Sequence, residues 1–139
     1  MNCSDTRSVS LCWSGDGLVF KGSTNTGPEI TIDGGSSKGP SPMEVLLLSL
    51  AGCMAIDLRV ILEKSRVPVK SLEIDATGER ADKEPKKYQS IRLVCRISGP
   101  SDEHRSHVQR ALDLSRDKYC SVLHSLSTEI DMDIRVERN

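Results

Sequence analysis

The sequence predicts an α+β protein in which three short strands precede a long helix, followed by two strands, two helices and a last strand. Several short segments alternate polar and apolar residues, as half-buried strands do. One long apolar run has clear helix boundaries at both ends. The resulting order, β-β-β-α-β-β-α-α-β, groups strands together instead of alternating each one with a helix. This order favours an α+β class over a doubly wound parallel sheet.

The first forty residues carry the pattern of a hairpin and a third strand. Residues 8–13 alternate with a period of two, residues 14–17 (Ser-Gly-Asp-Gly) are typical of a turn, and residues 18–21 resume the extended pattern. Residues 29–33 predict another strand. The polar, glycine-rich residues 34–40 predict a flexible loop.

The long helix has three start signals. Ser41 is a typical N-cap, Pro42 suits the first helical position, and Glu44 completes a capping box. Pro68 disfavours helical backbone in the residue before it. We therefore predict a helix over residues 41–66.

The first half of this helix is apolar on nearly every side. Residues 45–56 contain no charged side chain, a composition typical of a helix that is covered all round, with a second subunit as one source of cover. Asp57 and Arg59 would each be costly at a bilayer centre, and the uninterrupted apolar part is too short to span one. The sequence therefore predicts a buried helix of a soluble protein and no membrane contact.

The rest of the chain predicts two strands, two helices and a final strand. In order, these elements are the strands 72–80 and 89–98, the helices 101–116 and 120–126, and the strand 130–136. We expect one domain over residues 1–139, made of N-terminal strands (1–40), the central helix (41–66), a strand pair (70–100) and the remaining helices and strand (101–139).

Charge and composition exclude several classes of function. The 139 residues carry 19 Lys+Arg and 20 Asp+Glu, so the net charge of −1 offers no field to hold nucleic acid. Aromatic residues make up only 3%, too few for base-stacking platforms. Residues 1–5 lack the pattern of a secretory signal, so we expect a cytoplasmic protein whose cysteines are reduced.

Two of the five cysteines are candidates for chemistry. Cys3, Cys12 and Cys95 lie in a terminus and in strand patterns, where a cysteine acts as an incidental or small apolar residue. Cys53 lies mid-helix among small residues that allow close approach of a substrate. Cys120 lies where a helix is predicted to begin, and the positive end of the helix dipole, with Lys118 nearby, favours a thiolate there.

No cofactor or metal motif is present in the sequence. It has no Cys-x-x-Cys pair, no glycine-rich phosphate loop and no zinc-protease motif. His124 follows Cys120 by one helical turn, so a metal site formed by Cys53, Cys120 and His124 stays open as a third alternative. We expect no resident cofactor or metal.

Two segments resemble the cysteine motifs of the OsmC/Ohr superfamily. Residues 41–57, SPMEVLLLSLAGCMAID, resemble the first motif, and residues 117–122, DKYCSV, resemble the second, with the closest similarity to the YhfA-like branch. The resemblance covers nearly the whole chain. It implies an OsmC-like fold, an intertwined homodimer with two mainly antiparallel sheets around long central cysteine-bearing helices.

The same resemblance implies a thiol-dependent reductase of organic hydroperoxides or hydrogen peroxide. Cys53 would attack the peroxide and become a sulfenic acid, and Cys120 would resolve it as a disulfide. A dithiol such as a dihydrolipoyl group would then reduce that disulfide. The partners implied are thus a second copy of the chain, a small hydroperoxide and a dithiol.

The sequence departs from this family at the group that activates the thiolate. Relatives use an arginine in the first hairpin loop, which here reads Ser-Gly-Asp-Gly, and a glutamate where this chain has Met43. Glu44 would lie on the side of the helix opposite Cys53. Asp57 lies one turn after Cys53 and would oppose a thiolate unless it is paired with an arginine. Arg80, at a strand end, is the favoured cation.

These departures leave a second class of function open. A non-catalytic OsmC-like protein that binds a small molecule or senses redox state would keep the fold without the activating arginine. The two classes differ in whether peroxide is consumed with turnover.

Overall fold

The computed structural model describes residues 5–138, and within this range the chain forms six strands and three α-helices. The strands are β1 (Val9–Trp13), β2 (Val19–Thr24), β3 (Glu29–Asp33), β4 (Ser71–Arg80), β5 (Tyr88–Ser98) and β6 (Asp131–Arg138). The α-helices are α1 (Pro42–Lys64), α2 (Arg105–Leu114) and α3 (Ser121–Ser125). The α+β class and the predicted order of elements are confirmed.

One predicted helix is divided into three parts. The segment predicted over residues 101–116 contains a 3-10 turn at Asp102–His104, then α2, then a π-helical turn at Ser115–Tyr119. The pattern of polar and apolar residues does not distinguish 3-10, α- and π-helical turns from one another, because these turns differ in the register of their backbone hydrogen bonds.

The chain divides into two compact units, one ending at Leu46 and one beginning at Leu47. The first unit holds an antiparallel sheet with the order β1-β2-β3, in which β1 and β2 form the predicted hairpin and β3 pairs with β2. Leu11 lies opposite Gly22, which lies opposite Ile30. One face of this sheet is apolar and exposed, and its side chains include Val9, Leu11, Trp13 and Ile30.

The predicted capping box of α1 is formed. The Ser41 backbone N–H donates to Glu44 Oε1 at 2.9 Å, and the Glu44 backbone N–H donates to Ser41 Oγ at 3.3 Å. The Ser36 hydroxyl also donates to Glu44. These hydrogen bonds, of which that from Ser36 has the largest effect, hold the pKa of Glu44 below its usual range, so the carboxylate is charged at neutral pH. Glu44 therefore acts as a helix cap.

The second unit holds a sheet with the order β4-β5-β6. β4 and β5 are antiparallel, whereas β5 and β6 are parallel, and the long crossover that a parallel pair requires is supplied by the segment with α2 and α3. The core of this unit comes from α1, β5 and α2. Its fully buried residues include Leu50, Met54, Leu58, Leu62, Ile91, Leu93, Cys95, Ile97, Val108, Ala111 and Leu112.

Helix α1 is buried along one stripe only within the chain. Leu50, Met54, Leu58 and Leu62 recur every four residues and are covered. Leu48 and Ile56 are 62% and 66% exposed, so the expectation of a helix covered on every side is not met by one chain alone. Among the described residues, α1 is long and apolar enough to cross a membrane, a property that core helices of globular proteins share.

The close packing of Tyr88 against Gly78 predicts a large effect of one added methyl group. We expect Gly78→Ala to destabilise the protein by about 1–3 kcal/mol, because the new Cβ would lie 2.6 Å from Tyr88 Cδ1 and the ring is buried. Gly22→Ala is the matched control, since its Cβ would meet ordinary contacts no closer than 3.6 Å. Urea unfolding of both variants measures the difference, and equal midpoints would contradict the prediction.

Candidate active site

The mid-helix cysteine lies on the edge of the buried stripe of α1. Cys53 is partly exposed, whereas Leu50, three residues earlier, is fully buried. Asp57 follows Cys53 by four residues, which places the two side chains about 40° apart around the helix. α1 therefore presents a thiol and a carboxylate side by side.

The second candidate cysteine is positioned by the π-helical turn. The Cys120 backbone N–H donates to the Ser115 carbonyl at 2.8 Å, which closes the turn, and Cys120 then serves as the N-cap of α3. Cys120 is fully buried. Single π-helical turns occur mostly as bulges and are frequent at functional sites.

The structure brings the two predicted cysteines together. Cys53 Sγ, Cys120 Sγ and a carboxylate oxygen of Asp57 all lie within 4.8 Å of one another. Residues 53 and 120 come from opposite ends of the second unit's sequence, so only the packing of α1 against the segment after α2 creates this cluster. We call Cys53, Asp57 and Cys120 the thiol cluster.

A residue that the sequence did not single out completes the surroundings of the thiol cluster. Ser115 is fully buried, and its hydroxyl donates to Asp57 Oδ2 at 2.8 Å. Its carbonyl also accepts the N–H of Cys120, so one residue contacts both Asp57 and Cys120. A serine on the apolar face of a predicted helix is a signal of this role, because a buried hydroxyl needs a partner.

The pKa of Cys120 is shifted upward, whereas its position at a helix start alone predicts a downward shift. Burial is the main cause that raises the pKa of this thiol to about 11, and the hydrogen bond and charge of Cys53 and the carboxylate of Asp57 raise it further. The backbone N–H of Leu123 acts in the opposite direction but is weaker than burial. Cys120 is therefore a neutral thiol at neutral pH. The expected thiolate at this helix start is not formed in the reduced protein.

The cations considered from the sequence have other partners. Arg80 Nε donates to the Lys86 carbonyl at 2.7 Å, and Lys118 Nζ lies 5.2 Å from the centre of the Tyr119 ring. Within residues 5–138, Asp57 forms no ion pair, so the expected pairing of Asp57 with Arg80 is not observed.

His124 belongs to a separate local contact. Its Nε2 lies 3.0 Å from the Arg116 carbonyl oxygen, and among the described residues it is not part of the thiol cluster. The potential metal ligands are therefore Cys53, Asp57 and Cys120, with the aspartate in the place that the sequence suggested for His124.

The remaining cysteines differ in their surroundings. Cys12 is exposed on β1, Cys95 is buried in β5, and Cys3 lies outside the described residues. Burial raises the pKa of the Cys95 thiol to about 11, so it stays protonated at neutral pH. A buried, protonated cysteine in a strand is a small apolar core residue, consistent with its sequence pattern.

The buried thiol of Cys95 predicts a loss of stability at alkaline pH. The unfolded thiol ionises near ~8.5, whereas the folded thiol ionises at about 11. Between these two pKa values the folded state binds more protons than the unfolded state. The free energy of unfolding therefore falls by roughly 3 kcal/mol as the pH rises from the lower pKa to the higher one. In urea unfolding with a reductant present, Cys95→Ala should lose stability less steeply with pH than the parent. The same pH slope in both proteins would contradict this, and Cys12→Ala serves as the exposed control.

Comparisons with known proteins agree with this fold and with the two motifs. Residues 34–135 match the family described as OsmC-like protein. Protein YhfA of Escherichia coli strain K12 is 40% identical over 118 residues, which cover 84% of this chain and 87% of that protein.

Two solved structures are similar in fold. The crystal structure of a hypothetical protein from Aquifex aeolicus VF5 has a TM-score of 0.85 at 32% identity, and the match covers 98% of each chain. An organic hydroperoxide resistance protein from Elizabethkingia anophelis has a TM-score of 0.69 at 13% identity, and the match covers 100% of each chain. The family match includes both Cys53 and Cys120, and the YhfA similarity extends over most of the sequence, so this chain belongs to the OsmC-like protein family.

Proposed function

We propose that this protein is a thiol-dependent reductase of organic hydroperoxides that works through Cys53 and Cys120. The observation that carries the proposal is the placement of the two sulfurs within 4.8 Å of each other, one partly exposed and one buried. A partly exposed thiol can meet a peroxide, whereas a fully buried neighbour can attack only what forms beside it.

The proposed reaction has two steps. The Cys53 thiolate attacks the terminal peroxide oxygen, the O–O bond breaks, and with one proton the products are an alcohol and the Cys53 sulfenic acid. The Cys120 thiol then forms an S–S bond with Cys53 and releases water. An external dithiol, such as a dihydrolipoyl group, reduces the disulfide and returns two thiols.

The causes of the Cys120 pKa suggest why the two steps occur in order. Burial is the main cause that raises the Cys120 pKa, and the hydrogen bond and charge of Cys53 add smaller contributions, so Cys120 keeps its proton in the reduced protein. A neutral sulfenic acid removes that charge. The pKa of Cys120 is then lowered by the loss of this contribution, while the effect of burial remains, so the Cys120 proton leaves as the S–S bond forms and water is released.

We further propose that the protein acts as a cytoplasmic homodimer. Each unit exposes an apolar surface, one on the first sheet around Leu11 and Trp13 and one on α1 around Leu48 and Ile56. A second copy supplies the apolar cover that both surfaces lack. The relatives that the sequence resembles assemble in this way.

Mass spectrometry after addition of one equivalent of cumene hydroperoxide tests the reaction. We expect the chain to lose two hydrogens and to yield a peptide pair joined between Cys53 and Cys120, which a dithiol separates again. Cys12→Ser, which alters an exposed thiol on β1, should behave like the parent. Addition of an oxygen atom without a bond between these two residues would overturn the proposed resolving step.

The second candidate is a redox sensor without efficient turnover. It is favoured by the surroundings of Asp57, the carboxylate beside Cys53, which within residues 5–138 accepts a hydrogen bond from Ser115 and forms no ion pair with an arginine. A sensor forms the same disulfide but consumes peroxide only once per chain. Peroxide consumption with excess dihydrolipoamide separates the candidates, because many equivalents consumed per chain indicate the reductase and one equivalent indicates the sensor.

A further inference from the structure

The thiol cluster contains two sulfurs and one carboxylate oxygen, three atoms of the kinds that zinc binds. We propose that Cys53, Asp57 and Cys120 bind a zinc ion in the reduced protein. Two thiolates and one carboxylate form a ligand set of a type that zinc accepts, and a three-residue site leaves a fourth position for water or another small ligand.

The distances fit this coordination after a small adjustment. Zinc lies about 2.3 Å from thiolate sulfur and about 2.0–2.2 Å from carboxylate oxygen, so tetrahedral ligand atoms lie roughly 3.3–3.8 Å apart. In the cluster all three ligand atoms already lie within 4.8 Å of one another. Side-chain rotations of the order of 1 Å close the remaining gap. Cys53 and Asp57 need no backbone change, because both project from the same side of α1.

Ser115 orients the carboxylate for this role. Its hydroxyl donates to Asp57 Oδ2 at 2.8 Å, whereas Asp57 Oδ1 forms no hydrogen bond within the described residues. Oδ1 is therefore the oxygen that remains for a metal. A hydrogen bond to the other oxygen of a ligating carboxylate is typical of metal sites and holds the ligand in place.

Zinc is the metal that this chemistry favours. Magnesium and calcium prefer sites made of oxygen ligands, whereas thiolates select softer metals such as zinc and Cu(I), and the carboxylate ligand favours zinc over Cu(I). Binding releases the protons of the two thiols, and the ion's two positive charges offset most of the three negative charges brought together by the ligands.

Zinc binding has a consequence for peroxide chemistry, and that part of the inference rests on the proposed function. A thiolate held by zinc is less available to attack a peroxide, and the Cys53–Cys120 disulfide cannot bind zinc. Oxidation by one hydroperoxide converts the zinc-bound dithiolate, with two protons, to disulfide, alcohol, water and free Zn²⁺. The metal keeps its charge, and the two sulfurs supply both electrons.

Titration of the reduced protein with Co²⁺, followed by displacement with Zn²⁺, tests the site without any peroxide. We expect one Co²⁺ per chain with a near-ultraviolet thiolate-to-cobalt band, which Zn²⁺ abolishes. Cys53→Ser and Cys120→Ser should each weaken Zn²⁺ binding roughly 100-fold or more. Asp57→Asn and Ser115→Ala should each weaken it about 10–100-fold. Cys12→Ser should not change it.

Circular dichroism of each variant shows whether the fold is kept, and Asp57→Asn, which preserves side-chain shape, is the decisive variant if a serine variant does not fold. Absence of the cobalt band in the parent, or equal zinc affinity in Asp57→Asn and the parent, would overturn the site. If the band appears but the chain never consumes peroxide, the zinc site stands and the proposed reductase fails. If peroxide is consumed but no cobalt band appears, the proposed reductase stands and the zinc site fails.

Discussion

Cys53→Ser is expected to lower the rate of hydroperoxide reduction by roughly 10³-fold or more, because a serine hydroxyl stays protonated at neutral pH and cannot take the peroxide oxygen. The measurement is the consumption of cumene hydroperoxide with excess dihydrolipoamide. Since Cys53 is partly exposed and serine differs only in one atom, the fold should be retained. Full activity in this variant would remove Cys53 from the mechanism.

Cys120→Ser should give a different result from Cys53→Ser. Its first turnover should proceed, and a sulfenic acid should persist on Cys53, where dimedone traps it as a stable adduct. The disulfide should not form, so later turnovers slow according to how well the external thiol reaches Cys53. The two variants together distinguish attack on peroxide from resolution, and identical behaviour of both would contradict the assigned roles.

Ile56→Asp is expected to convert the proposed homodimer into a monomer. Ile56 is 66% exposed in the single chain, so the substitution leaves the core of the second unit untouched. In the dimer, a carboxylate within an apolar interface costs several kcal/mol, which corresponds to a roughly 10³-fold weaker association. Sedimentation equilibrium measures the dissociation constant directly.

Ser106→Asp is the matched control for this experiment. It adds the same charge at an exposed position of a different helix, α2, and should leave association unchanged. A parent protein that sediments as a monomer, or an Ile56→Asp protein that associates as tightly as the parent, would contradict the dimer that we propose.

The order of elements could be derived from local sequence. Capping at Ser41, the proline after the helix and the alternation in each strand are properties of neighbouring residues, so α1, β1 and β5 were predicted within a few positions. The capping box is the clearest case, because the residues that form it lie three positions apart. The importance of Cys53 and Cys120 came from resemblance of their motifs, since a cysteine alone does not distinguish a core position from a reactive one.

The sequence by itself determined the α+β class, the element order and the two cysteines to examine, because these follow from short-range patterns and recognisable motifs. Only the tertiary structure decided that Cys120 and Ser115 lie beside Cys53 and Asp57 and that Cys120 is a buried neutral thiol. It also showed that one face of α1 is left uncovered by its own chain. The physical reason is that distance, burial and charge between residues 53 and 120 depend on how α1 packs against the π-helical turn, which local patterns do not encode.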